Sequence, residues 1–352
     1  MNRALLTSMV LNGKSYVGCA HVALFCFTLG LATLITGANS SWATEPGEWV
    51  LWWEDEFDGE SLNPARWRAM QGDPWQVTNV RVADGCLWLK ASVEGERRLG
   101  AEVRTGKSHG EIFSLCALRP PVRIEIRFKP IMKPGSFIAL WLMHTQWNSE
   151  IFAEHNMMVG KEFDLLECAG GESIVTDSDI QIKAHMTVHT WRAPMPWVPQ
   201  GQRSVQVNTA PMISVGNPVT WQEIRFDWDD ESRPGGCELR YYWRASGQDW
   251  GEPRLRLRPE QEFFPKDHPM NRIAFGQVRH VDILRAVWKE PMHLILWNQA
   301  RAAEGWISQE QLASRGLNTW GSATLNPEDF PVDVPIDSIR VFVPAGDSRI
   351  AP

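Results

Sequence analysis

Lys161-Glu162-Phe163-Asp164-Leu165-Leu166-Glu167-Cys168-Ala169-Gly170 sets three carboxylates within six residues of otherwise mostly apolar chain. Carboxylates in a stretch that reads as buried are costly unless they are paired or used for chemistry. Two local structures accommodate them. On a strand, Glu162 and Asp164 share a face because side chains alternate, whereas Glu167, five positions on from Glu162, points the other way. One extra residue between Asp164 and Glu167, a β-bulge, returns Glu167 to the face of the other two. Two carboxyl groups on such a strand can lie about 5–5.5 Å apart, the separation used in retaining glycoside hydrolysis. On an amphipathic helical turn, Leu165 and Leu166 face inward instead and the carboxylates have no chemical role.

The rest of the chain favours strands. Val122-Arg123-Ile124-Glu125-Ile126-Arg127-Phe128-Lys129 alternates apolar and polar residues, the signature of a strand with one buried and one wet face. Comparable segments are Trp49–Glu54, Cys86–Ala91, Phe137–Met143, Glu162–Cys168, Glu223–Trp228, Glu238–Trp243, Met292–Trp297 and Ser338–Val343. Turn signals at Asp84-Gly85, Lys133-Pro134-Gly135, Gly170-Gly171 and Arg233-Pro234-Gly235-Gly236 separate several of them. Long helices are scarce; Ser308–Arg315, with Ser308 as N-cap and Gln311 three residues later, is the best short one. The pattern predicts an all-β fold, a two-sheet antiparallel β-sandwich, as one domain from residue 44 to 352.

Residues 1–43 read as an export segment. Arg3 and Lys14 are its only formal charges, Val17–Gly37 is an uncharged, largely apolar run, and Ser41-Trp42-Ala43 suits cleavage. The run is about 21 residues, long enough to span a bilayer, so an uncleaved signal anchor is the competing reading. The expected location is secreted or periplasmic, or membrane-anchored if the segment stays. A net charge of −7 argues against a general nucleic-acid or anionic-membrane binder. Cys86, Cys116, Cys168 and Cys237 match no zinc spacing and leave open one disulfide or buried free thiols. Nineteen Trp against three Tyr suggests flat amphipathic platforms for sugar rings.

Several segments, in order, resemble glycoside hydrolase family sixteen, the laminarinase, agarase and carrageenase group. They are Trp53-Glu54-Asp55-Glu56-Phe57-Asp58-Gly59 followed by Leu62-Asn63-Pro64-Ala65-Arg66-Trp67, then Asp84-Gly85-Cys86-Leu87, Ala101–Thr105 and Gly135–Leu142. The carboxylate motif, Met292–Asn298 and Pro335–Phe342 complete the series. The resemblance implies a jelly-roll, concanavalin A-like sandwich with a concave substrate cleft, and it makes the carboxylate stretch a bulged strand. It implies a secreted, endo-acting retaining hydrolase of a β-linked polysaccharide, with Glu162 as nucleophile, Glu167 as general acid/base and Asp164 between them. A transglycosylase or a noncatalytic carbohydrate-binding protein on the same scaffold are the alternatives.

Around the carboxylates, the resemblance puts Trp141 on the neighbouring strand as a cleft floor. His185, Thr187, His189 and Trp191 alternate onto one face; the resemblance implies a histidine near the acid/base, a place open to His185 or His189, with His189 preferred. Arg104 is expected to face the cleft, and Trp147, Trp191 and Trp197 are candidate sugar platforms. No cofactor and no catalytic metal are expected; a structural calcium near Glu56 and Asp337 follows from the resemblance alone. The expected partner is the polysaccharide, and the protein is expected to be a monomer. The segment His155–Lys161 departs from the family pattern: it lacks the Trp-Pro that usually precedes the first catalytic Glu, and Lys161 follows Gly160 where the motif should begin. That departure leaves β-1,3-glucan and galactans such as agar, porphyran or carrageenan as comparable candidates.

Overall fold

The computed structural model describes residues 48–106, 117–145, 150, 157–194, 203–261, 280–301 and 326–350. Residues 1–43, Trp147, Trp197, Cys116 and the segment Ser308–Arg315 lie outside them. Every strand read from the sequence is present. In chain order they are β1 Trp49–Asp55, β2 Arg68–Ala69, β3 Val80–Ala83, β4 Cys86–Glu94, β5 Arg97–Arg104, β6 Val122–Phe128, β7 Ser136–His144, β8 Met157–Ala169 and β9 Ile174–Val175. There follow β10 Ile180–Lys183, β11 His185–Pro194, β12 Arg203–Thr209, β13 Met212–Ser214, β14 Gln222–Trp228, β15 Leu239–Ala245, β16 Leu255–Leu257, β17 Met292–Ala300 and β18 Val332–Pro344. One helix, α1 His280–Ala286, precedes β17. No helix among the described residues is long and apolar enough to cross a membrane.

The strands run β12-β11-β8-β7-β17-β5-β4-β18-β6-β14-β15-β16, with β1 on β18 and a small separate sheet β13-β10-β9. The path folds on itself into two facing layers, the jelly-roll sandwich the sequence predicts. The first six strands of the path form the layer that carries the carboxylate motif. Phe163 on β8 packs against Phe226 and Trp228 of β14 at ring separations of 5.8 and 5.4 Å, so the two inner faces interdigitate. Leu140, Leu142, Leu166, Val188, Leu294 and Leu296 point the same way as Phe163 into this core. Alternation therefore turns Glu162 and Asp164 outward.

The Trp53–Trp67 region, which carries much of the resemblance, serves the fold. Asp55 accepts the Phe57 backbone N–H at 3.0 Å and the Trp67 indole N–H at 2.8 Å, pinning the entry turn while Trp53, Phe57 and Trp67 are buried together.

Among the described residues, many of the tryptophans serve the scaffold. Trp53, Trp67, Trp228, Trp243 and Trp288 are buried. Trp49, Trp221 and Trp250 lie against guanidinium groups of the second layer: Arg123 and Arg233 over Trp49 at 4.7 and 4.4 Å, Arg127 over Trp221 at 4.7 Å, and Arg244 over Trp250 at 3.9 Å. Cross-strand register sets Arg123 opposite Asp227 and Asp227 opposite Arg240. Burial alone raises the proton affinity of Asp227, but Arg225 and Arg123 outweigh it and hold the carboxyl below its usual range.

Candidate active site

β8 pairs with β7 on one side and β11 on the other, and both registers slip at the same place. Across β7, Leu166 faces Leu140 and Asp164 faces Trp141, so Leu165 is skipped. Across β11, Glu167 faces His185 while Asp164 faces Thr187 and Glu162 faces His189. The expected single-residue bulge therefore lies at Leu165, whose side chain turns into the core. It returns Glu167 to the outer face beside Glu162 and Asp164; the helical alternative is excluded.

The outer face reads as rows across the strands. His293, Met143, Glu162 and His189 form one; Arg104, Ile295, Trp141, Asp164 and Thr187 the next; Glu102, Trp297, Ala139, Glu167 and His185 the third. In the central rows His189 Nε2 lies 3.0 Å from Asp164 Oδ2 and 3.9 Å from Glu162 Oε1. The Trp191 indole donates to Glu162 Oε2 at 2.6 Å, and its ring stacks on His189 with centroids 5.6 Å apart. Trp191, expected as a sugar platform, is a donor to the first carboxylate.

Trp141 lies directly across from Asp164. Its ring meets Trp297 edge-on at 5.3 Å, and Trp297 stacks on Trp75 at 5.1 Å, giving a three-indole floor. Gly100 makes room for it: a Cβ there would stand 3.0 Å from the Trp75 ring. Arg104 lies on this face, but its guanidinium is held by the buried carboxylate of Glu102. Both histidines act on Glu167, His189 more strongly; His185 is its cross-strand partner, and His185 Nε2 is 2.8 Å from Glu172 Oε2.

All three motif carboxyls hold protons more tightly than usual. For Glu162 burial is the main cause, followed by the charge of Asp164; for Asp164 it is burial and then Glu167. Burial also raises Glu167, and His189, His185 and Arg301 oppose it. A carboxyl whose proton affinity rises on folding binds more protons folded than unfolded. Its burial therefore costs nothing below the unfolded value, 3.8 for Asp164, and destabilises increasingly as pH rises through the window up to the folded value. Asp164→Asn is thus expected to raise Tm near neutral pH, with the gain shrinking towards about pH 4. Calorimetric scans of both proteins across that range check it; a gain independent of pH would contradict it.

Glu162, Asp164 and His189 bring three ligand-type atoms within 4.8 Å of one another. Asp164 and His189 already face each other at 3.0 Å, and we read the set as one hydrogen-bonding unit. The carboxylates named for a structural calcium do not suit that ion. Glu56 pairs with Arg340 at 2.7 Å and Asp337 with Arg127 at 2.6 Å, leaving each with a cation of its own. Cys86, Cys168 and Cys237 are free thiols.

Several contributors to the site escaped the sequence reading. Lys161, seen only as an oddity, lies on the core side of β8. Its ammonium donates to the carbonyls of Val287, Trp288 (2.6 Å) and Glu290 (2.9 Å), just past the end of α1, and sits 4.2 Å from the Trp228 ring centroid. Glu172 and Arg301 act on the Glu167 side, and Trp297 completes the floor. Alternation along Met292–Ala300 marks Trp297 as sharing a face with His293; Glu172 and Arg301 leave no local signal.

No family model matches the chain, and no curated protein matches it. Solved structures do. The catalytic domain of an endo-1,3-beta-glucanase (laminarinase) from Thermotoga petrophila is 18% identical, with a TM-score of 0.47 over 85% of this chain and 100% of that one. Laminarinase from Flavobacterium sp. UMI-01 is 16% identical, with a TM-score of 0.48 over 84% of this chain and 100% of that one. A non-specific endo-beta-1,3(4)-glucanase from family GH16 is 17% identical, with a TM-score of 0.47 over 85% and 92%. At these identities and scores, the functional reading rests on the residues of the site.

Proposed function

We propose that this protein is a secreted, retaining, endo-acting glycoside hydrolase of a β-linked polysaccharide. The observation that carries the reading is the bulge at Leu165, which gathers Glu162, Asp164 and Glu167 on one face with His189 among them. A regular strand would have divided the same residues between core and surface.

In the first step a Glu162 carboxylate oxygen bonds to C1 of the sugar as the bond from C1 to the leaving oxygen breaks. Glu167, protonated, delivers its proton to that oxygen. In the second, Glu167 takes a proton from water as the water oxygen attacks C1, and the bond to Glu162 breaks. Raised proton affinities suit the acid role, since one carboxyl of a crowded set keeps its proton at working pH. The Trp191 indole and His189 favour the ionised form of Glu162, which the nucleophile needs. The Trp141–Trp297–Trp75 surface offers apolar sugar faces a place to lie.

β-1,3-Glucan and the galactans of agar, porphyran and carrageenan are the substrates to test first. Each is incubated with the protein, products are sized, and the anomeric proton is followed by NMR. Internal cleavage with the β-anomer appearing first is expected. The α-anomer appearing first, or no cleavage of any of them, would overturn the proposal. Longer products formed with excess oligosaccharide would mark transfer to sugar instead of water.

A further inference from the structure

We infer that Glu172 is a positioning residue of the reaction: it holds the His185 imidazole against Glu167, so that the imidazole governs when the acid/base releases its proton. The inference rests on the proposed role of Glu167.

The arrangement starts in the backbone. β8 ends at Ala169, and the 3-10 turn Gly170–Glu172 sends the chain back beside it. Gly170 is seated on the Lys133 carbonyl, whose oxygen would lie 1.8 Å from any Cβ, so the turn at this depth requires glycine. The turn places Glu172 Oε2 2.8 Å from His185 Nε2 and Glu172 Oε1 3.1 Å from Lys183 Nζ on β10. His185 is only 4% exposed and is the cross-strand partner of Glu167. Glu172 is thus tied to His185, which stands across the strand pair from Glu167. Burial raises the proton affinity of Glu172, but the His185 and Lys183 hydrogen bonds outweigh it, so Glu172 stays ionised.

The charged groups facing Glu167 can be named element by element. β8 supplies Glu162 and Asp164, β11 supplies His185 and His189, Arg301 follows β17, and β7 contributes the uncharged Ala139. Among them, His185 has a half-buried carboxylate partner outside the motif, Glu172. Glu172 fixes the imidazole on the Glu167 side, where His185 opposes the effect of burial on Glu167. Removing Glu172 makes Glu167 hold its proton to higher pH.

The test reads Glu167 directly. In chain labelled with 13C at glutamate side-chain carboxyls, the Glu167 resonance, identified by its loss in Glu167→Gln, is followed with pH. In Glu172→Gln its midpoint is expected to rise by about half a unit or more. His185→Gln should do the same, the double variant should rise no further, and Glu172→Asp should return most of the way. An unmoved midpoint in Glu172→Gln with retained fold, or additive shifts in the double variant, overturns the inference. A variant that does not fold leaves His185→Gln and Glu172→Asp to decide it. Because the resonance titrates whether or not a polysaccharide is cleaved, the result stands apart from the hydrolase proposal; in an active protein the alkaline limb of kcat/KM should move with it.

Discussion

Glu162→Gln is expected to reduce polysaccharide cleavage by about 10³-fold or more, because an amide in its place cannot form the bond to C1. Glu167→Gln is expected to lose about 10²–10⁴-fold on the same substrate. The two losses differ in kind. An aryl glycoside whose phenolate departs without a proton bypasses the acid, so Glu167→Gln should still show a rapid first step followed by slow turnover. Glu162→Gln should show neither. Rapid-quench measurements on both variants check this. Full activity of either variant, or rescue of Glu162→Gln by the activated substrate, would reverse the roles or abolish them. Gln matches Glu in size, and Glu162 and Glu167 are both partly exposed, so neither change is expected to disturb the core.

Lys161→Met is expected to lower stability by about 2–4 kcal/mol, read as a shift in denaturant midpoint at unchanged slope. The ammonium is fully buried, and burial pushes its pKa well below the usual lysine value. Three backbone carbonyls answer the three N–H donors of the charged form, with the Trp228 ring beside them. Methionine fills a similar volume but leaves those acceptors without a donor, which outweighs the relief of no longer burying a charge. The damage should reach the chemistry, since Lys161 immediately precedes Glu162 and ties β8 to the end of α1. Lys161→Arg, which keeps the charge in a larger group, should be destabilised by overpacking. A methionine variant as stable as the parent would show that the carbonyls find other donors.

The bulge was legible because three carboxylates at that spacing fit one face of a strand only if a residue is skipped. The shared face of His185 and His189 followed from alternation alone. Which histidine met which carboxylate did not, since it depends on where the register slips relative to β11. Helix α1 was overlooked although Val281, Ile283, Leu284, Val287 and Trp288 recur at helical spacing and are all buried. The role of Lys161 was beyond sequence reading, because its acceptors lie more than a hundred residues away. The tryptophan count could not be resolved into roles for a different reason. Composition counts indoles without saying whether a guanidinium, a core or a sugar will lie against them.

Guanidinium-stacked indoles on the second layer also govern what light reports from this molecule. Trp49, Trp221 and Trp250 beside arginines, and Trp53, Trp67, Trp228, Trp243 and Trp288 in the interior, belong to the scaffold. Among the described indoles, Trp75, Trp141, Trp191 and Trp297 are therefore a minority voice in the intrinsic emission. Spectral change on denaturation follows the sandwich coming apart, whereas an oligosaccharide titration would be lost against that background. A binding signal would have to be isolated by difference, from the parent minus a variant lacking the Trp141 indole.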